Sequence, residues 1–495
     1  MLTAVVFLPV LAGLVLVGVP RLPDGAVRWA FVAVTAVELG LVAGLWLGYD
    51  GPGYGYETTV PWLPSVGVSY HVGVDGISLP LVALTATLFL ACAVYSLRQT
   101  HRTRAFVALL LFLETVSLGL FTALDLILFF LFFDLSIVGM YFVIAGWGHR
   151  DRGRAALMFF LYTFIGSLVL LLGFIGLYVA AEPATFDIVA LTEQNPLDGS
   201  PAAGLVLLAI CLGLAIKTPL VPFHTWLPPA HTEAPAAGSA ILAGVLLKMG
   251  TYGFVRIAMP VLPAAWRQYA MVLVVAGVVS VLYGALVALA QTDFKRMIAY
   301  TSVNHMGYIA LAVGTAGVVA GNTEQARQLA VTGAVTQMVS HGLITGALFL
   351  LAGLFHDRAH SYEMASYSGL AAAAPRFAAL TAIGAFASLG LPGFSGFIAE
   401  FQIFTGSLGA RPVATGIALL GILITAALFL VALQRVFLGS PRLPGAAPGF
   451  ADVRAHEAVA VVPLLGLALV IGLLPRFLLA VIEPAARTVV ELVAR

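Results

Sequence analysis

Eight ionisable side chains lie inside stretches that are otherwise apolar: Glu38, Glu114, Asp134, Lys217, Lys248, His305, His341 and Glu400. At the centre of a bilayer such a group costs about 2.5–3.5 kcal/mol on insertion scales, so its retention points to a task, and the natural task is to take up and release protons. The lysines carry the sharpest signal. The chain has three lysines against twenty-one arginines, and two of the three, Lys217 and Lys248, sit within apolar spans. Arginine keeps its proton in a protein, whereas a buried lysine shifts into the titratable range. Asp134, in Phe-Phe-Leu-Phe-Phe-Asp-Leu, has no local counter-charge and demands a partner. We expect it to pair with Lys217, so that opening the pair lets the lysine lose its proton. His305 and His341 titrate near neutrality and lie on consecutive spans between the lysines and Glu400. Each group has a plainer reading beside this one: a lysine salt-bridged for packing or snorkelling to an interface, a histidine that is only a satisfied hydrogen-bonder, and a structural carboxyl at Glu114. Glu38, on an outlying helix, receives no role.

The elements that must hold these groups are membrane helices. The 495 residues are 61% hydrophobic and 9% charged, with a mean hydropathy of +1.03. A soluble domain carries about 25% charged residues, so most of this chain is solvated by lipid. The net charge of +1 argues neither for nor against nucleic acid, but no basic run is long enough to hold phosphates, so no nucleic-acid partner is expected. Cys92 and Cys211, far apart in apolar stretches, cannot form an iron–sulfur or zinc site and read as buried core residues. Met1 to Pro20 has neither a basic leader nor a cleavage site and reads as a retained first helix.

Apolar runs place spans near 2–20, 28–48, 77–97, 104–122, 124–147, 155–180, 203–222, 233–259, 268–290, 293–318, 328–355, 374–405, 412–438 and 456–482, about fourteen helices and no strands. With the N-terminus outside, fifteen Lys and Arg residues (Lys295 among them) fall in inner loops and seven on the outer side, which favours both termini outside. Two spans are interrupted, by Ala-Ile-Lys-Thr-Pro-Leu-Val-Pro at 215–222 and by Leu-Gly-Leu-Pro-Gly-Phe-Ser-Gly at 389–396. Broken helices in lipid line protein or water cavities, and breaks in corresponding halves suggest transporter repeats. Each break falls in the fourth helix of a five-helix block, and five being odd, the blocks have inverted topology. Two ordinary proline kinks are the alternative. The chain thus divides into helices 1–3 (1–103), a first repeat (104–260), a second, inverted repeat (261–440) and a last helix (441–495).

Several motifs carry a resemblance: Tyr-His-Val-Gly-Val-Asp-Gly-Ile-Ser-Leu-Pro at 70–80, Lys-Thr-Pro-Leu-Val-Pro-Phe-His-Thr-Trp-Leu-Pro-Pro-Ala-His-Thr-Glu-Ala-Pro at 217–235, Leu-Leu-Lys-Met-Gly-Thr-Tyr-Gly at 246–253, Asp-Phe-Lys-Arg-Met-Ile-Ala-Tyr-Thr-Ser-Val-Asn-His-Met-Gly at 293–307, and Gly-Leu-Pro-Gly-Phe-Ser-Gly-Phe-Ile-Ala-Glu at 390–400. Together, and over nearly the whole chain, they resemble the subunit M family of antiporter-like membrane subunits in respiratory NADH–quinone oxidoreductase (complex I). The resemblance implies an all-α polytopic fold of fourteen helices with two inverted five-helix repeats. It implies proton translocation through Glu114, Asp134, Lys217, Lys248, His305, His341 and Glu400, coupled to quinone reduction elsewhere. It implies no cofactor and no metal in this chain, with FMN, iron–sulfur clusters and quinone in partner subunits, antiporter-like L and N neighbours, and a bacterial cytoplasmic membrane. One departure stands out. The fifth-helix carboxylate is usually glutamate and here is Asp134, one methylene shorter, so either the helices sit closer or a water bridges the pair.

Three other readings compete. A D-type subunit of a multisubunit Na+/H+ antiporter shares the lysine–carboxylate machinery, but His-Thr-Glu-Ala-Pro at 231–235 favours the first reading. The membrane arm of a membrane-bound hydrogenase is the second. A structural or assembly subunit without transport is the third, and the mid-span lysines argue against it. No glycine-rich dinucleotide motif follows a strand, so NADH binding is expected elsewhere.

Overall fold

The computed structural model describes residues 1–319, 323–443 and 450–495. Among these, ten helices are long and apolar enough to cross a membrane. The chain opens with α1 (Leu2–Gly18) and α2 (Asp24–Leu47), then a two-stranded antiparallel hairpin, β1 (Gly55–Leu63) and β2 (Val68–Val74). The helices α3 (Ser78–Tyr95), α4 (Thr103–Thr122), α5 (Leu126–Trp147) and α6 (Arg152–Ala180) follow. Next come the short α7 (Ile188–Gln194), then α8 (Ala203–Lys217), α9 (Leu227–Glu233) and α10 (Ala236–Val261). The second half comprises α11 (Pro263–Leu289), α12 (Phe294–Thr315), α13 (Glu324–Ala359), α14 (Pro375–Ser388), α15 (Ser395–Ala410), α16 (Pro412–Phe437), α17 (Ala455–Leu473) and α18 (Arg476–Ala494).

Burial sorts the helices. The apolar cores of α10 and α13 are wholly enclosed, whereas α11 and α16 turn rows such as Val272, Val275, Val279 and Leu423, Leu430 outward, as a lipid-facing surface requires. With lipid outside, helix association rests on close packing of small residues. Gly277 of α11 and Gly307 of α12 illustrate it: a Cβ on either would lie within 2.8 Å of the other's carbonyl oxygen.

The hairpin corrects the expectation of a chain without strands. Its alternation is hidden in the sequence by Pro52, Gly53, Gly55, Pro61, Pro64 and Gly67. It is fastened to the bundle by side chains. Asp125, the N-cap of α5, accepts from Ile127 N (2.8 Å) and Leu128 N (3.1 Å) and also from Ser69 N of β2 (3.0 Å). His71 lies between two carboxylates, with Nδ1 2.5 Å from Asp187 and Nε2 2.7 Å from Glu57. Burial pulls this imidazole down, but the bonds to Asp187 and Glu57 outweigh it and its pKa stands above the usual histidine value. This is the hairpin end of the bundle. The opposite, arginine end carries the 148–154 loop with Arg150, Arg152 and Arg154.

The span expected at 456–482 is two helices. α17 stops at Leu473, and Leu474-Pro475 turns the chain into α18, whose residues Leu478, Ile482, Ala486, Val490 and Val493 bury one apolar stripe. Two arginines hold its last turn to the hairpin end: Arg327 Nη2 donates to Val490 O (3.1 Å) and Arg267 Nη1 to Val493 O (2.6 Å).

Candidate functional site

Both expected breaks are present, and each frees a backbone carbonyl that a buried side chain then satisfies. Past Lys217 the α8 helix cannot continue through Pro219 and Pro222, and the carbonyl of Ile216 instead accepts from Trp226 Nε1 (3.0 Å). Between α14 and α15, Gly390 and Gly393 adopt φ of +75° and +103°. There the Ser388 carbonyl lies 3.1 Å from His305 Nε2. A Cβ at Gly390 would stand 2.3 Å from Glu400 Oε2, so this glycine also makes room for the carboxyl.

Four of the expected residues meet. Lys248 is fully buried in α10, between two π-helical turns at Leu242–Leu246 and Phe254–Ala258. In the first of these the Leu247 amide bonds Leu242 O, five residues back. That leaves Ala243 O without its ordinary donor four residues on, and Lys248 Nζ donates to it. The same Nζ lies 2.6 Å from Nδ1 of His341 in α13. The His341 and His305 rings are 5.3 Å apart between centroids and nearly perpendicular. His305 Nε2, from α12, is 3.9 Å from Glu400 Oε1. A cavity of about 10 Å³, lined by His305, His341, Ser388 and Glu400, has the size of a single water. The arrangement is a line of proton acceptors from a lysine to a carboxyl, crossing four helices at the middle of the bundle.

Lys217 and Asp134 do not form the expected ion pair. Lys217 Nζ donates to Ser136 Oγ (2.8 Å) and lies 4.7 Å from the centroid of the Phe133 ring. Asp134 points the other way, toward Ser167 of α6, with Oδ1 unpartnered, and only electrostatic reach links it to Lys217. The reason is local. The shorter side chain starts on the half-exposed face of α5 that also carries Leu131, Val138 and Phe142, while Ser136 stands on the inward face. Glu114 is buried in α4 with both oxygens unpartnered, and fully buried Glu38 of α2 is equally bare and within its electrostatic reach.

Two buried groups escaped the sequence reading. Lys295, expected in an inner loop, is fully buried in the first turn of α12, its Nζ 2.5 Å from Ala234 O and 5.1 Å from the Tyr362 ring centroid. All three lysines of the chain are therefore enclosed. His231 is fully buried, stacked on Phe349 at 4.4 Å, and neither ring nitrogen has a partner among the described residues. The signal for Lys295 was present: it is the third lysine of a chain that otherwise uses arginine.

A bundle with paired broken helices and lysines, histidines and carboxyls at mid-depth defines an ion-translocating membrane protein of the antiporter-like class. Residues 123–426 match the family model described as NADH:quinone oxidoreductase/Mrp antiporter, transmembrane. Relatives named NADH-quinone oxidoreductase subunit M include one from Rickettsia conorii, 38% identical over 96% of both chains. Another, from Rhodobacter capsulatus, is 36% identical over 99% of this chain and 96% of its own. A chain of respiratory complex I from Thermus thermophilus superposes with a TM-score of 0.87 at 32% identity, covering all of both chains. A chain of the Mrp complex from Dietzia sp. reaches 0.86 at 22% identity, covering 100% of this chain and 99% of its own, which shows the shared fold. The chain belongs to the NADH:quinone oxidoreductase/Mrp antiporter family of membrane subunits.

Proposed function

We propose that this chain is a proton-translocating subunit of type M in the membrane arm of an NADH–quinone oxidoreductase. The observation that carries the reading is the contact between Lys248 and His341 (2.6 Å) in the enclosed centre of the bundle, continued through His305 to Glu400. A fully buried lysine that shares a hydrogen bond with an imidazole can pass its proton across that bond, which arginine could not do. Glu114, Asp134 and Lys217 extend the row on the other side of Lys248, Ser136 bridging part of the distance that Asp134 leaves open. Fourteen membrane crossings, with α4–α10 and α11–α16 as inverted repeats and each break at the same place in its repeat, suit this role. The arginine-rich loops support an inner arginine end and an outer hairpin end, with both termini outside and the chain in a bacterial cytoplasmic membrane. FMN, iron–sulfur clusters and quinone belong to partner subunits, and other membrane-arm subunits, of L and N type, flank this one. Electron transfer in those partners drives the row by shifting charges along it.

The test is proton pumping by the complete complex in membrane vesicles. Lys248→Met and Lys217→Met should each depress pumping per NADH oxidised while the complex still assembles. Unchanged pumping in both would remove the buried row from the mechanism.

A further inference from the structure

The arginine end holds a second set of titratable groups that the row above does not use. The loop after α5 folds over the bundle, with His149 N donating to Glu233 O (3.0 Å). The His149 ring lies 3.9 Å from that of His356, the last-turn histidine of α13, the two tilted by 34°. Its Nε2 is 3.1 Å from the Tyr362 hydroxyl. His356 in turn packs against His360 (5.4 Å) and Tyr362 (5.4 Å). These residues line a cavity of about 430 Å³ together with Tyr95, Asp357 and Glu457. Asp357 and His360 are exposed, so the cavity meets the solvent at this end. On its inner side stands Lys295, against Tyr362, and His231 lies within electrostatic reach of both Lys295 and Lys248.

We propose that His149 and His356 form the mouth of a proton-uptake route that leads from the solvent at the arginine end to Lys295 and, through His231, to Lys248. This rests on the proton-translocating reading of the central row. The charged and titratable groups facing the pair are Lys295 from α12, Asp357 and His360 from α13 and the stretch after it, Tyr362, Arg454, His456 and Glu457 at the start of α17, Tyr95 from α3 and Arg98 just beyond it. Two charged imidazoles 3.9 Å apart beside an ammonium would repel strongly, so the pair works uncharged. Burial, the Lys295 charge and His356 push the His149 pKa down to about 3, which agrees. A neutral imidazole accepts a proton on one nitrogen and releases the proton of the other, so one proton enters, one leaves inward, and the ring ends in its other tautomer. The pair is thus a conduit and not a store. A metal centre is a poorer reading: among the described residues no three His, Cys, Asp or Glu side chains converge to hold an ion. The two orphaned nitrogens of His231 are the second sign of a route, since a fully buried ring with no partner is costly unless water or a transient proton reaches it.

The experiment uses membrane vesicles containing the complete complex with the arginine end facing the medium. Charge movement is read as membrane potential with a voltage-sensitive dye, because a permeant base would collapse a pH gradient. In the double variant His149→Phe/His356→Phe at alkaline pH, the pumping rate should fall about tenfold. That is less than the hundredfold or more of a positioned acid–base group, since cavity water still reaches Lys295. Added imidazole, which fits the cavity, should restore most of the loss. If the double variant does not assemble, His149→Gln and His356→Gln decide, because glutamine keeps a polar contact but cannot pass a proton. A wild-type rate in the variants overturns the proposal, as does a loss that imidazole leaves untouched. Lys248→Met in the same vesicles should pump poorly and resist imidazole. Normal pumping there would instead overturn the central-row reading on which the route depends.

Discussion

Replacing Gly390 by alanine tests the geometry of the second break. The new Cβ would stand 2.3 Å from Glu400 Oε2, so the carboxyl must retreat by about 1 Å to reach ordinary contact. A retreat of that size away from His305 carries Oε1 from 3.9 Å to about 5 Å from Nε2. In the state with His305 protonated and Glu400 ionised, at an effective dielectric of about 20, that weakens their attraction by about 1 kcal/mol and makes the state about fivefold rarer. The backbone adds about 1–2 kcal/mol, since φ is +75° and alanine disfavours the left-handed region. Gly393→Ala separates the two effects. It also sits at positive φ (+103°), but nothing lies within 4 Å of its Cβ. The assay is proton pumping per NADH oxidised in vesicles, with assembly checked on native gels. Gly390→Ala should assemble and pump several-fold less, and Gly393→Ala should lose only stability. If Gly390→Ala pumps like the wild type, or if both variants lose pumping equally, the placement of Glu400 against the break does not govern proton passage.

Three further outcomes are expected. Ser136→Ala leaves the Lys217 ammonium without the one hydrogen-bond acceptor it has among the described residues, a cost of about 1–3 kcal/mol. Pumping should drop more than in Ser136→Thr, and equal pumping would mean that another group holds Lys217. Arg256 donates to Asp75, Tyr54 and Tyr252, tying the hairpin and the start of α3 to α10. Arg256→Lys keeps the charge but not the fork, and should lower the melting temperature of the purified complex by several degrees; an unchanged melting point would refute that role. The His71 pKa is raised in the fold, so its stabilisation is complete below the unfolded value near 6.5 and is lost as pH climbs through the raised one. Amide exchange at Leu124, whose N–H donates to His71 O (2.9 Å), corrected for intrinsic rate, should quicken above that range. Exchange that slows instead would contradict the sign.

Much of the fold was legible because lipid leaves few choices. Long apolar runs must be helices, and proline pairs inside them must be breaks. The residues of the central row were legible for the same reason, as charges with nowhere to go. What the sequence hid was direction. Nothing in Phe-Phe-Asp-Leu-Ser says that Asp134 faces outward and Ser136 inward, so the closed Asp134–Lys217 pair was a fair expectation that side-chain geometry overturns. Lys295 was hidden by company: Asp293 and Arg296 beside it read as a loop, yet Asp293 caps α12 and the lysine turns inside. The stripe at 478, 482, 486, 490 and 493 was readable as an amphipathic helix, but the apolar run of α17 swallowed its first turns.

The outward face of α5 has a consequence beyond transport. Asp134 starts there beside Leu131, Val138 and Phe142, and although its Oδ1 is shielded the residue is only partly buried, so the chain alone leaves a carboxyl close to its lipid face. A charge facing lipid at mid-span costs about 2.5–3.5 kcal/mol, and a neighbour covering this face would remove whatever part of that cost the α5–α6 packing leaves. A neighbour packed on this face of α5 would complete the enclosure that the chain alone leaves open.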